Sequence, residues 1–300
     1  MKKTKIMFHC HWNETAEQLL NHYRWQTPSG DGIWNNIEAT CDKESADYHI
    51  VMDGGFPEGV PLSRCIYFQR EEPDIMKPRL DFPSDLLFKG TYTDLAHHLV
   101  SIWRVKRTHG FFSELKYEQK EKKISTITSG KTWATGHRYR IEFLMRMVER
   151  YRDIDVFGRG GIQNFGRINQ CFRGGIENDG YCKFNGITPY QYHISFENSQ
   201  HLNCINEKPL DCLLCWTMPI YWGCPNVSEW LPSGSYYEVE TRNIDEELDE
   251  LLEFIKEPPR KENVDAMAEA RNLVLNKYNL WAEIEAILDG NPVSKLVIED

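Results

Sequence analysis

Short apolar runs alternate with amphipathic stretches along this chain, and their spacing predicts strands and helices in regular succession. Lys5–Cys10 reads as a first buried strand. A helix over about Thr15–His22 follows it, with Thr15 and Gln18 at the spacing of a capping box. Tyr48–Met52 and Cys65–Phe68 read as further strands. The first ends at Asp53-Gly54-Gly55, and the second runs into Gln69-Arg70-Glu71-Glu72-Pro73-Asp74. Alternation of this kind is the pattern of a doubly wound α/β unit, whose ligands lie beyond the C-terminal ends of its strands.

Between Ser113 and Lys123 the chain turns strongly charged and almost free of aliphatic residues, as an interdomain linker does. The same grammar then restarts. It runs through a strand at Ile124–Ile127, a helix from about Arg138 to Tyr151, and a strand at Ile154–Phe157 before Gly158-Arg159-Gly160-Gly161. A strand at Tyr192–Phe196, a helix from about Pro209 to Trp216 and a strand at Met218–Trp222 continue it. Two helices close the chain, Ile244–Lys256 and Val264–Leu288, parted by Pro258-Pro259. The expected organisation is an N-terminal lobe over residues 1–115, a second lobe over 116–262, and a C-terminal helix and tail over 263–300.

Composition narrows the functional classes. With 300 residues the chain has room for two domains, and 41% hydrophobic with 12% aromatic residues suits packed cores. No window approaches the roughly 18 apolar residues of a membrane span. The apolar stretch after Met1-Lys2-Lys3 is too short for a secretory signal, and nine cysteines without one point to reduced thiols and a cytoplasmic protein. The two Asn-x-Ser/Thr sequons at Asn13 and Asn226 therefore carry no weight. A net charge of −10 argues against nucleic acid as a partner, so an anionic ligand would need a local cationic pocket.

Such a pocket is suggested by Ser195-Phe196-Glu197-Asn198-Ser199-Gln200 and Cys204-Ile205-Asn206-Glu207-Lys208-Pro209-Leu210-Asp211, polar residues between a strand and a helix. Pro209 suits a first helical turn, which puts free amides near Asn206–Lys208 for a phosphate. Lys208 adds a full charge there, and Glu207 can accept hydrogen bonds from two ribose hydroxyls. The residues alone describe either a nucleoside diphosphate site or ordinary helix capping with surface charge.

In order and spacing, Phe196-Glu197-Asn198-Ser199, Glu207-Lys208 and Pro219-Ile220-Tyr221-Trp222-Gly223 resemble the donor-site signature of the α-1,3/4-fucosyltransferases, glycosyltransferase family ten. The resemblance covers 192–237 well. It extends more thinly to Ser125–Gly130, Arg140 with Phe143, Ile154–Gly158 and, in the first lobe, Glu71-Glu72-Pro73. It implies a GT-B fold, two Rossmann-like lobes with the active site in the cleft between them. The implied reaction is inverting transfer of L-fucose from GDP-fucose to a hydroxyl of a glycan acceptor.

Carried over by residue, the resemblance places Arg140 and Lys208 on the diphosphate, Glu207 on the ribose and Asn198 beside the nucleotide, with Glu197 and Ser195 in the same block. Arg138 competes with Arg140, which is favoured because Phe143 and Met147 repeat the family's helix spacing. Glu71 is the expected general base, with adjacent Glu72 as the alternative. No cofactor or essential metal is expected: cations and helix amides can stabilise a departing diphosphate, and Asp153-Ile154-Asp155 reads as the entry to a buried strand. The chain departs from the family where Cys204-Ile205-Asn206 replaces Tyr-Val-Thr, which keeps open another nucleotide sugar as donor. A catalytically inactive nucleotide- or glycan-binding relative is the other alternative. Cys212-Leu213-Leu214-Cys215 has a metal-like or redox-like spacing but lies in an apolar helix and reads as core. His9 and His11, alternating along a strand, lack a third ligand.

Overall fold

The computed structural model of the protein describes residues 2–70, 85–91, 102–176, 183–240 and 243–291. Two six-stranded sheets organise them. In the first, strand β1 (Thr4–Cys10) leads into helix α1 (Ala16–Tyr23). The hairpin β2 (Ile33–Trp34) and β3 (Ile37–Ala39) follows, and then β4 (Tyr48–Met52), β5 (Cys65–Phe68) and β6 (Phe88–Gly90). The spatial order is β2-β3-β1-β4-β5-β6, parallel except for the β2–β3 edge. The capping box of α1 forms as its sequence implies, Gln18 N donating to Thr15 Oγ1 at 3.3 Å and Thr15 N to Gln18 Oε1 at 2.8 Å.

Helix α2 (His109–Glu114) precedes the second sheet, and the chain between Leu115 and Glu121 has no regular structure. The second sheet is built from β7 (Lys122–Ser129), helix α3 (Thr135–Arg150), β8 (Ile154–Arg159), β9 (Phe172–Gly174), helix α4 (Lys183–Ile187), β10 (Tyr190–Phe196), helix α5 (Glu207–Leu214), β11 (Met218–Trp222) and β12 (Tyr237–Glu238). Its order is β9-β8-β7-β10-β11-β12 and every pairing is parallel. Counted from β7, that is the 3-2-1-4-5-6 order of a dinucleotide-binding sheet, whose direction of winding reverses between β7 and β10. The edge strands β2, β6, β9 and β12, and β3 beside β2, are only two or three residues long, too short to stand out in the sequence.

Helices α6 (Ile244–Phe254), α7 (Lys261–Asn272) and α8 (Leu280–Leu288) complete the chain. The single helix expected over Val264–Leu288 is broken. After α7 a wide π-helical turn spans Leu273–Lys277, and Asn279 starts a new helix by accepting from Trp281 N at 2.9 Å. The break is where the chain changes lobes. Tyr278 packs in the core of the second lobe, whereas Leu280, Trp281, Ile284 and Ile287 pack against Ile6, Phe8, Ile50 and Phe68 of the first. Asn279 Nδ2 donates to Gln26 O at 2.9 Å and Trp281 Nε1 to Tyr23 O at 3.0 Å, so α8 is bonded to the lobe it covers. Ile102 belongs to the first core while Trp103 and Val105 belong to the second, which makes residues 102–105 another crossing point.

No helix among the described residues is long and apolar enough to cross a membrane. Trp281 is fully buried, and truncating it would open a large cavity under the first sheet. Trp281→Ala is expected to destabilise the fold by about 3–5 kcal/mol, read as a lowered midpoint in urea unfolding.

Candidate functional site

The site lies at the C-terminal edge of the second sheet, where the winding reverses. The loop after β7, the first turn of α3, the loop from β10 to α5 and the first turn of α5 converge there. Arg140, Lys183, Lys208, His193, Ser195 and Thr128 line a cleft with about 400 Å³ of empty space, part of it open to solvent. Two glycines set how closely its walls approach. A Cβ on Gly136 would stand 2.4 Å from Glu197 O, and one on Gly223 would stand 2.5 Å from Glu197 Cγ. Gly136 N donates to Asn198 O at 2.8 Å, fastening α3 to the loop after β10. The glycine that closes Pro219–Gly223 is thus a close-packing requirement, because no larger residue leaves room for Glu197.

Glu197 is 1% exposed, and its carboxylate faces the protein rather than the cleft. It accepts from Asn206 N at 2.8 Å and Asn206 Nδ2 at 3.4 Å, and is ion-paired with Lys208. Ser195 is also buried: its hydroxyl lies 3.1 Å from Cys212 Sγ and 3.4 Å from Lys208 O, inside the junction of β10 and α5. Both residues hold the N-terminus of α5 in place. Pro209 falls in that first turn, where its missing N–H is no loss.

On the opposite wall His137 and Arg140 both reach Asn198 Oδ1. His137 Nδ1 accepts from Ala134 N at 3.3 Å, which puts the ring proton on Nε2, the atom 3.0 Å from Asn198 Oδ1. Burial, with the charge of Arg140 beside it, lowers His137 to about 4 and keeps it neutral. Arg140 is 7% exposed, with its guanidinium 3.4 Å from both Asn198 Oδ1 and Ser129 Oγ. Arg138 is exposed and turned away, donating to the carbonyls of Thr132 at 3.0 Å and Trp133 at 3.3 Å. The structure therefore brings Arg140, Asn198, Glu197, Ser195, Glu207 and Lys208 together and sets Arg138 on the outer side of its helix. Glu71 and Glu72 lie outside the described residues.

Three residues in or behind the cleft were not singled out from the sequence. Lys183 sits 3.3 Å from both Glu207 Oε1 and Asp211 Oδ2. Burial resists ionisation of Glu207, but Lys183 and Lys208 outweigh it and hold the group well below the usual carboxylate range. Asp211 is completely buried, which pushes it up to about 6 against the pull of Lys183. His193 Nδ1 meets Ser125 Oγ at 2.7 Å, while that hydroxyl reaches Gly186 O at 2.8 Å. Burial and nearby Lys183 lower His193 to about 3, so it adds no charge. Only the i, i+4 spacing of Glu207 and Asp211 was visible beforehand. Nothing near Lys183 forms a motif.

Elsewhere, Asp155 is engaged by Tyr190 Oη at 2.6 Å, Lys122 at 3.1 Å and Arg173 at 2.5 Å, near the start of β8 and away from the cleft. Cys212 and Cys215 are buried in the core of the second lobe. His9 pairs with His49 of the neighbouring strand at 2.9 Å. Among the described residues no three His, Cys, Asp or Glu side chains are grouped as metal ligands.

Two α/β lobes, the second wound as a nucleotide-binding sheet with cations at its switch point, define a fold of the GT-B glycosyltransferase type. Residues 117–263 match the family model described as glycosyltransferase family 10 (fucosyltransferase) C-term, and over that region the chain carries this family's domain. It is 34% identical over 64 residues to the α-(1,3)-fucosyltransferase FucT of Helicobacter pylori, which is 21% of this chain and 13% of that protein. It is 28% identical over 119 residues to α-(1,3)-fucosyltransferase C of Drosophila melanogaster, 37% of this chain and 26% of that one. The matched stretches thus span about a quarter or less of these two relatives. A crystal structure of an α1,3-fucosyltransferase with GDP-fucose aligns with a TM-score of 0.46 and 16% identity, covering 91% of this chain and 90% of that chain.

Glu197 supplies the first test of this geometry. Glu197→Ala leaves Lys208 and the N-terminal turn of α5 without their buried partner, and is expected to cost about 3–5 kcal/mol of stability. Chemical denaturation checks this, and Glu197→Gln, which keeps the contact to Asn206, is expected to lose less.

Proposed function

We propose that the chain transfers L-fucose from GDP-fucose to a hydroxyl of a glycan acceptor, in a single displacement that inverts the anomeric centre and releases GDP. The observation that carries this reading is the convergence of Arg140, Lys208, Glu207 and the N-terminus of α5 at the switch point of a family 10 domain. In the proposed complex the diphosphate lies against Arg140, Lys208 and the first amides of α5, and the ribose hydroxyls donate to Glu207. As the sugar–phosphate bond breaks, charge builds on the β-phosphate, where a guanidinium, an ammonium and a helix terminus stabilise it. That role needs no metal ion. The acceptor hydroxyl has to lose its proton on the face opposite the leaving group, and the proposed base is Glu71, with Glu72 as the neighbouring choice.

The departure at Cys204-Ile205-Asn206 bears on the identity of the donor. Cys204 and Ile205 are each 3% exposed, so they alter the interior of the lobe, and Asn206 is the one of the three that is partly exposed. Donor choice is therefore read from turnover. GDP-fucose, GDP-mannose and UDP-sugars are compared with a panel of glycan acceptors. GDP release with GDP-fucose alone is the expected result. Preference for another nucleotide sugar moves the protein to a different donor class, and GDP binding without any transfer makes it a binding protein. Glu71→Gln is expected to lower kcat by about 100-fold or more while leaving GDP affinity within a few-fold. An unchanged rate removes Glu71 from the mechanism and passes the role to Glu72→Gln for the same measurement.

A further inference from the structure

Glu207 and Asp211 are four residues apart on α5 and so share one face of the helix. Two carboxylates in that relation repel each other, and here the second is completely buried, which makes the repulsion more costly. A helix that only had to cover a sheet would carry an apolar residue at position 211. This one keeps the acid and answers it from two other elements. Asp211 Oδ1 accepts from Arg104 N at 2.9 Å, in the segment where the chain crosses between lobes. Asp211 Oδ2 accepts from Lys183 Nζ at 3.3 Å, at the start of α4. From that anchor the same ammonium reaches Glu207 Oε1, also at 3.3 Å.

Lys183 therefore has one fully buried partner and one that is partly exposed. Asp211 is 0% exposed, whereas the Glu207 side chain is 23% exposed. Fixing the ammonium on the buried acid removes most of the freedom a lysine normally has. It also leaves Glu207 one oxygen bonded to Lys183 and the other, Oε2, outside that ion pair. We infer that Lys183, anchored by Asp211, is the positioning residue for Glu207, holding its carboxylate ionised and turned so that an oxygen remains to accept from ribose hydroxyls. This inference rests on the nucleotide site proposed above. Lys183 acts through Glu207 and need not touch the nucleotide.

The charged groups around Glu207 are Lys183 from α4, Lys208 and Asp211 from α5, and Arg104 from the crossing segment. Lys183 is the strongest of the cations that keep Glu207 ionised. Ribose binding needs the carboxylate form, which in the native protein persists below pH 5, so between pH 7 and pH 5 native GDP affinity should change only through Asp211, pushed up to about 6, and the terminal phosphate of GDP itself. Without the Lys183 charge, burial pushes Glu207 upward, so affinity should fall more steeply than in the native protein as the pH is lowered through that window.

The test is calorimetric titration with GDP at pH 7 and pH 5 on the native protein, Lys183→Met and Lys183→Arg. Lys183→Met is expected to bind roughly tenfold or more weakly at pH 7 and to lose more affinity than the native protein between pH 7 and pH 5. Lys183→Arg, which keeps the charge, is expected to recover most of the affinity and the native pH profile. If Lys183→Met does not fold, Lys183→Gln, which keeps a hydrogen-bond donor, is expected to show the same loss towards acid. Native affinity and the native pH profile in the uncharged variants overturn the inference. So does an equal loss at both pH values that arginine fails to rescue, because a purely structural lysine would behave that way. If the native protein binds no GDP, the nucleotide site itself is wrong and both readings fall. If it binds GDP and Lys183 proves silent, this inference alone fails.

Discussion

A carboxylate removed from water must have its charge and its lone pairs answered by the protein, and at Glu197 the answer determines the shape of the site. Its partners are Lys208 and the backbone and side chain of Asn206, which lie at the start of α5. That one interaction fixes where the helix begins, holds Lys208 at the cleft and closes the loop from β10. The glycines at 136 and 223 are needed because Glu197 and the backbone beside it fill the space a side chain would take. Asn198, the next residue, then presents Oδ1 to both His137 and Arg140, so the two walls of the cleft are joined through one amide.

The lobes are fastened close to this same assembly. The segment 102–105 sends Ile102 into one core and Trp103 and Val105 into the other, while Arg104 N is held by Asp211 of α5. The second crossing, at Tyr278–Leu280, carries α8 back onto the first sheet. The helix that bears Glu207 and Lys208 is thus also the helix to which the first crossing is bonded. A change at Asp211 would reach both the nucleotide side of the cleft and the joint between the lobes.

Much of this was legible in the sequence because strong local signals specify it. The long parallel strands are near-continuous apolar runs, the α1 cap is a two-residue signal, and Pro209 marks the start of α5. The break of the last helix was not legible. Residues 264–288 keep a helical pattern throughout, and only the need to bury Tyr278 in one lobe and Trp281 in the other interrupts it. At the site, Glu207 and Lys208 were visible as a charged pair at a helix start, and Glu197 as part of a motif. Its inward orientation depends on tertiary contacts with Asn206 and Gly223. Lys183 was invisible for the same reason, since its partners lie 24 and 28 positions further along the chain.

The central claim is that the switch point between β7 and β10 holds a nucleoside diphosphate. A crystal structure of the protein grown with GDP tests it most directly. The account requires phosphate oxygens within hydrogen-bonding distance of Arg140 and Lys208 and a ribose hydroxyl at Glu207. Nucleotide bound elsewhere, or an empty cleft in crystals saturated with GDP, would contradict it.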